Sequence, residues 1–193
     1  KRVIRAGLER MFKVATAGER VSDLLAELGV DYVFGVVGSS AMEIYDGLHT
    51  HPRVRYIGAR DERAATGMAD GYARASGSLG VVLAGQSGPG VTNLVSGLAA
   101  AKAAHTPILS LGGSVSTDQW HNDAFQEVDQ EALIRPVAKA VLTVLKPERV
   151  IPMIEYAARL AMSHPMGPVH VNLPRDVLMG QAPEVELGSP LKP

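Results

Sequence analysis

The 193-residue chain has no cysteine, which excludes a disulfide framework and any thiolate metal site. Charge of one sign is missing too. Lys and Arg number 19 against 20 Asp and Glu, a formal net charge of −1, so there is no electrostatic case for nucleic acid or an anionic membrane as partner. No apolar run approaches the roughly 18 residues of a membrane span. The opening Lys1 to Lys13 alternates basic and apolar residues without a secretory h-region. These absences fit a cytoplasmic protein. No His lies at metal-ligand spacing from carboxylates, so no metal site is expected. The phosphate-loop lysine motif and the spaced glycines of the dinucleotide fingerprint are both absent. No segment repeats.

Hydrophobic residues at 46% and charged residues at 20% are ordinary for one globular domain with a real core. The 20 glycines and 12 prolines punctuate the chain as the loops of an alternating α/β fold would. Thr16 and Glu19 have capping-box spacing ahead of Val21, Leu24, Leu25 and Leu28, which recur at helical intervals until Gly29. Strands are expected at 32–37, 54–57, 80–84, 107–111, 137–144 and 169–173. Further helices are expected after Ser39-Ser40, which can cap one, and over 61–74, 91–104 and 147–162. Between them, 114–129 reads as a polar loop. This alternation predicts an α/β fold, a parallel sheet flanked by helices on both faces, with the strand-to-helix loops gathered at one edge. Residues 1–15 read as a lead, either a trimmed start or a run into a native start near Met11. Residues 16–180 form the domain, and 181–193 read as a linker toward a missing domain.

Three loops fall at the predicted ligand edge: Gly38-Ser39-Ser40, Arg60-Asp61-Glu62 and Ser87-Gly88-Pro89-Gly90. Asp61 and Glu62 are readable as plain helix-start acids, worth under ~1 kcal/mol. The helix behind them is built from Ala64, Ala65, Gly67, Ala69, Gly71 and Ala73, so a ring or another backbone can approach closely. A carboxyl at its mouth, shielded by a partner, is placed to titrate near neutrality and exchange protons with a ligand. The segment Ser87 to Asn93 is a Gly-rich turn that opens a helix; it suits an anion or a planar ring, or is simply a tight turn. Asp123-Ala-Phe-Gln-Glu127 reads as an exposed turn or a substrate-facing loop, with Trp120 and His121 beside it. His105 reads as a helix-end cation.

In one order these motifs resemble a known family. Asp31-Tyr-Val-Phe-Gly-Val-Val-Gly38 leads, followed by Arg60-Asp-Glu-Arg-Ala-Ala with Met68-Ala-Asp-Gly-Tyr-Ala-Arg74. Then come Ser87-Gly-Pro-Gly-Val-Thr-Asn-Leu94, Asp123-Ala-Phe-Gln-Glu127 and Gly167-Pro-Val-His-Val-Asn-Leu-Pro-Arg-Asp176. From about Thr16 to Gly180 the series is similar to the N-terminal, pyrimidine-binding domain of thiamine-diphosphate enzymes of the acetolactate synthase kind. The resemblance implies that Glu62 hydrogen-bonds N1′ of the aminopyrimidine and sets the tautomer that removes the thiazolium C2 proton. Gly88, Pro89 and Asn93 match the turn that lies along the pyrimidine ring. Phe125 and Gln126 match residues bordering the substrate pocket, as do Ser39 and Ser40 by position. The implied substrate is a 2-keto acid. The diphosphate and Mg²⁺ would be held by a C-terminal domain carrying a Gly-Asp-Gly motif absent here, and each site would form between subunits of a homodimer or tetramer.

Departures fall on the substrate side. Val37-Gly-Ser-Ser40 stands where acetolactate synthases usually carry Pro-Gly-Gly-Ala, the turn before Ser87 is one residue longer through Gly85-Gln86, and Trp120-His-Asn122 replaces a smaller sequence. Related acyltransferases and decarboxylases, such as sulfoacetaldehyde acetyltransferase and oxalyl-CoA decarboxylase, remain alternatives. So does a non-catalytic module that only pairs subunits. A Rossmann-like nucleotide-binding domain is the third reading, and Glu62 speaks against glyoxylate carboligase, which lacks this residue.

Overall fold

Thr16 and Glu19 do close a reciprocal cap. The Glu19 N–H donates to Thr16 Oγ1 at 3.1 Å, and the Thr16 N–H donates to the Glu19 carboxylate at 2.8 Å. This starts helix α1 (Glu19–Glu27), which buries Val21, Leu24 and Leu25 at the spacing that the sequence shows. The computed structural model describes residues 15–182 and 190–191. Residues 1–14 of the expected lead, and 183–189 and 192–193 of the expected linker, lie outside them. The chain continues through β1 (Tyr32–Val36), α2 (Met42–His49), β2 (Arg55–Gly58), α3 (Glu62–Ser76), β3 (Gly80–Ala84) and α4 (Pro89–Ala103). It then runs through β4 (Ile108–Ser114), α5 (Gln130–Ile134), β5 (Ala140–Thr143), α6 (Val150–Met162), β6 (Val169–Pro174) and α7 (Arg175–Met179).

All six strands are parallel, in the order β2-β1-β3-β4-β6-β5. Their period-two alternation divides the hydrophobic residues between two cores. Val33, Val81, Leu83, Leu109, Leu111, Val169 and Val171 face the helices α1, α2 and α6. Phe34, Val82, Ala84 and Ile108 face α3 and α4. The sheet is therefore covered on both faces, as its β-branched, nearly continuous apolar strands require. Among the described residues, no helix is long and apolar enough to cross a membrane.

Two expectations change at the element level. Ser39 and Ser40 cap no helix. They lie in a 3₁₀ turn (Ser39–Ala41) whose side chains reach across to the β3 loop instead. The strand expected over 137–144 is confined to Ala140–Thr143, because Pro136 sits in a preceding 3₁₀ turn, Arg135–Val137, which uses up its first residue.

Because the order reverses at β1, the chain passes outward to β2 and returns to β3. That makes the crevice beyond β1 and β3 a topological switch point, where open parallel sheets bind ligands. Helices α3 and α4 flank this crevice and approach closely. A Cβ on Gly97 would come within 2.5 Å of the Thr66 side chain, so only glycine permits this separation. Thr66 and Gly97 each stand one turn beyond Glu62 and Asn93, and the close contact sets the spacing of that second pair.

Candidate active site

Asp61 takes the N-cap of α3 and accepts the Arg63 N–H at 2.8 Å. The Arg63 side chain also bonds it and holds the Asp61 carboxyl below the usual carboxylate range. With the cap filled by its neighbour, Glu62 is free to turn inward. It is only 6% exposed, which decides against the plain helix-start reading, since such acids ordinarily stay in water. Its Oε2 accepts a hydrogen bond from Asn93 Nδ2 at 3.0 Å. Its Oε1 lies over Gly90, where a Cβ would come to 3.1 Å, and accepts no hydrogen bond from the described residues. A nearly buried carboxylate with one oxygen held and one open is placed to share a proton with a ligand.

Gly88 ends the β3 turn with φ 59° and ψ −100°, a conformation for which L side chains are poorly suited. Pro89 then occupies the first turn of α4, where its missing N–H costs nothing. The Gly88 N–H donates to Gln130 Oε1 at 3.0 Å. Any Cβ at Gly88 would collide with the backbone carbonyl of Gln126. The structure thus brings Glu62, Gly88, Pro89 and Asn93 to one edge, with Gln126 packed on the turn.

Ser40 is buried, and its hydroxyl accepts the Ser87 N–H at 3.2 Å. Ser39 is exposed and donates to Gln86. Tyr45 lies behind this turn, donating to the Val36 carbonyl at 2.7 Å and meeting Tyr56 edge-to-face. Burial, with the Tyr56 phenol beside it, pushes the Tyr45 hydroxyl well above the usual range, so it is a fixed neutral donor. Phe125 is 83% exposed, available to a partner surface and not to this chain's core. The loop around it is closed by Glu127, whose carboxylate accepts the N–H groups of His121 and Ala124 and is held below its usual range chiefly by the first. Trp120 and His121 line a cavity of about 510 Å³ together with Asp129, Glu131, Thr143 and Leu145. His105 lies beyond the end of α4 in a left-handed conformation, its ring against the Met166 carbonyl.

Four residues that sequence reasoning passed over support the turn. Beneath Gly88 runs a buried polar chain. Gln130 Nε2 donates to Asn172 Oδ1 at 2.9 Å and to the Gly113 carbonyl at 3.3 Å. His170 Nε2 is 2.9 Å from the same Asn172 oxygen, and its Nδ1 is 2.9 Å from the Ser110 hydroxyl. Asn172 Oδ1 is an acceptor, so His170 carries its proton on Nε2 and accepts from Ser110 on Nδ1. Full burial holds the His170 ring neutral, its pKa pushed down to about 4, against a smaller opposing effect of the Asn172 bond. The signal was legible: His170 and Asn172 alternate with valines in an otherwise apolar strand.

Residues 15–133 match the family described as thiamine pyrophosphate enzyme, N-terminal TPP binding domain. The acetolactate synthase isozyme 3 large subunit of Escherichia coli strain K12 is 42% identical over 166 residues, which is 86% of this chain and 29% of that protein. A probable acetolactate synthase large subunit of Methanocaldococcus jannaschii is 41% identical over 163 residues, 84% of this chain and 27% of that protein. Among solved structures, the thiamine diphosphate-dependent 4-hydroxybenzoylformate decarboxylase of Rhodococcus jostii RHA1 shares the fold with a TM-score of 0.81 at 27% identity, over 88% of this chain and 32% of that one. The chain spans less than a third of the length of each of these relatives. With the family matched over most of the domain and the fold shared over most of the chain, this chain belongs to the thiamine pyrophosphate enzymes as an N-terminal TPP-binding domain.

Proposed function

We propose that this domain supplies the pyrimidine half of the active site in a thiamine-diphosphate-dependent carboligase or decarboxylase of 2-keto acids, of the acetolactate synthase kind. The observation that carries the reading is the buried Glu62 carboxyl, anchored by Asn93 through one oxygen and open at the other. The fit to a planar ring is good: Gly90 presents backbone without a side chain next to that open oxygen, and Pro89 beside it offers a flat apolar surface. Glu62 then holds or releases a proton at the ring nitrogen it meets, and Asn93 keeps the carboxyl aimed. Gly88 and Pro89 form the surface along which the ring lies. Ser39, Ser40, Phe125 and Gln126 border the substrate. The cofactor supplies the carbanion chemistry at its thiazolium.

Several further parts belong to this reading. The diphosphate and its Mg²⁺ are held by another part of the full-length protein, and the site is completed between subunits of a homodimer or tetramer that works in the cytoplasm.

The test is exchange of the cofactor C2 proton in deuterated buffer, in the full-length protein at saturating cofactor. Glu62→Gln keeps size and hydrogen bonding but removes the exchangeable acid, so exchange falls by about 10²–10⁴ while the fold survives. Exchange within about threefold of wild type, far below the usual effect of a lost acid–base group, rejects the assignment.

A further inference from the structure

Gln86 lies in the β3 turn, between Gly85 and Ser87, and has no part in the proposed proton transfer. Its Oε1 accepts two hydrogen bonds from Ser39, from the backbone N–H at 3.1 Å and from the hydroxyl at 3.2 Å. A backbone N–H only donates, so this contact fixes which end of the Gln86 amide is oxygen. The other end is then a donor, and it bonds Gln126 through the Oε1 of that residue. The second bond fixes the Gln126 amide in turn. Its oxygen faces Gln86, and its Nε2 carries N–H donors that meet no partner among the described residues. Gln126 has little freedom to rearrange, because its backbone is left-handed at φ 64° and its carbonyl is packed on Gly88.

We propose that Gln86 is a positioning residue that turns the donor end of the Gln126 amide outward, to receive the carboxylate of the 2-keto acid. The inference rests on the catalytic reading above. A carboxylate only accepts hydrogen bonds, so it binds an amide presented N–H first and is repelled by one presented oxygen first. A neutral donor also suits a carboxylate that must leave as CO₂. A full cation would stabilise the ground-state charge more than a transition state in which that charge is dispersing.

The experiment uses cofactor-loaded full-length protein and oxamate, an unreactive carboxylate isostere of pyruvate, with its Kd read by calorimetry. Gln86→Leu weakens oxamate about 3- to 10-fold, as expected for one lost neutral hydrogen bond. Gln86→Glu does the same while keeping the Ser39 bonds, since a carboxylate cannot donate to Gln126. In a Gln126→Ala background, Gln86→Leu changes Kd by less than about twofold, because the two residues act as one unit. Equal weakening in both backgrounds, or an unchanged Kd in either single variant, overturns the proposal. C2 proton exchange in the two Gln86 single variants stays within about threefold of wild type, because no acid–base group is removed. Loss of the catalytic reading would instead show in Glu62→Gln, with Gln86 intact.

Discussion

Gly88 and Gly90 stand two residues apart and do different work, which makes their alanine variants informative together. At Gly88 the backbone is left-handed and a methyl group would strike the Gln126 carbonyl. Gly88→Ala is therefore expected to cost about 1–3 kcal/mol in unfolding free energy, the range for a residue forced into a sparsely populated conformation. At Gly90 the backbone is helical, and the added methyl group would meet the Glu62 Oε1 at 3.1 Å and the Gln86 Cβ at 3.3 Å, with the Ala84 Cβ at 3.8 Å. Both side chains can give way by a few tenths of an ångström, so Gly90→Ala keeps most of its stability in urea titration while C2 proton exchange slows. A Gly90→Ala protein that exchanges like wild type would mean Glu62 is not confined there. At this scale the sequence was most legible. Glu62, Gly88, Pro89 and Asn93 stand out by motif order, and the structure brings all four to one edge. Gln86 and Gln130 were not legible, because a polar residue in a loop shows its partners only after the chain has folded.

At the scale of elements, β6 shows how a polar pair is carried inside a core. Val169, Val171 and Leu173 pack against α6 and its neighbours, and the alternate positions His170 and Asn172 point to the other face. There Ser110, opposite His170 in β4, and Gln130 from α5 complete their hydrogen bonds. A buried imidazole with both nitrogens satisfied is stable while neutral and costly when charged. Its folded pKa of about 4 lies below the ordinary 6.5. The unfolded chain thus binds the His170 proton first as pH falls, and stability is lost between pH 6.5 and 4. Below that window no further loss comes from this group. By linkage the loss amounts to about 3 kcal/mol. Denaturant titrations across that pH range should show a shallower decline for His170→Gln than for wild type, because carboxylates such as Asp61 and Glu127 contribute equally to both. Parallel curves would mean that the ring is not held neutral. The strands and helices themselves were legible from alternation and caps. The exceptions were the Ser39-Ser40 turn and the short β5, both decided by contacts or proline geometry outside the local pattern, and the five-residue helices α5 and α7, too short to show a helical period.

For the whole molecule the open question is which surface a second copy would use. The small residues of α3 suggested close approach by another backbone, and part of that capacity is spent within the chain, where Thr66 meets Gly97 of α4. The opposite side of α3 is different. Ala64, Gly67, Met68, Gly71 and Ala75 recur at helical spacing and are exposed. A Cβ placed at Gly67 or Gly71 meets nothing within 4 Å. Side chains there are tolerated by the folded chain, and replacing a mid-helix glycine ordinarily adds up to about 1 kcal/mol of helix stability. If two copies of the full-length protein pair through this face to complete the proposed shared site, Gly67→Arg and Gly71→Arg must act on association alone. Sedimentation at tens of micromolar is expected to give a symmetric dimer or larger assembly for wild type and a smaller species for either variant. Thermal stability of the isolated domain should be unchanged or higher. An assembly that survives both substitutions would place the pairing surface elsewhere, since a buried arginine facing its own copy across a two-fold axis is strongly unfavourable.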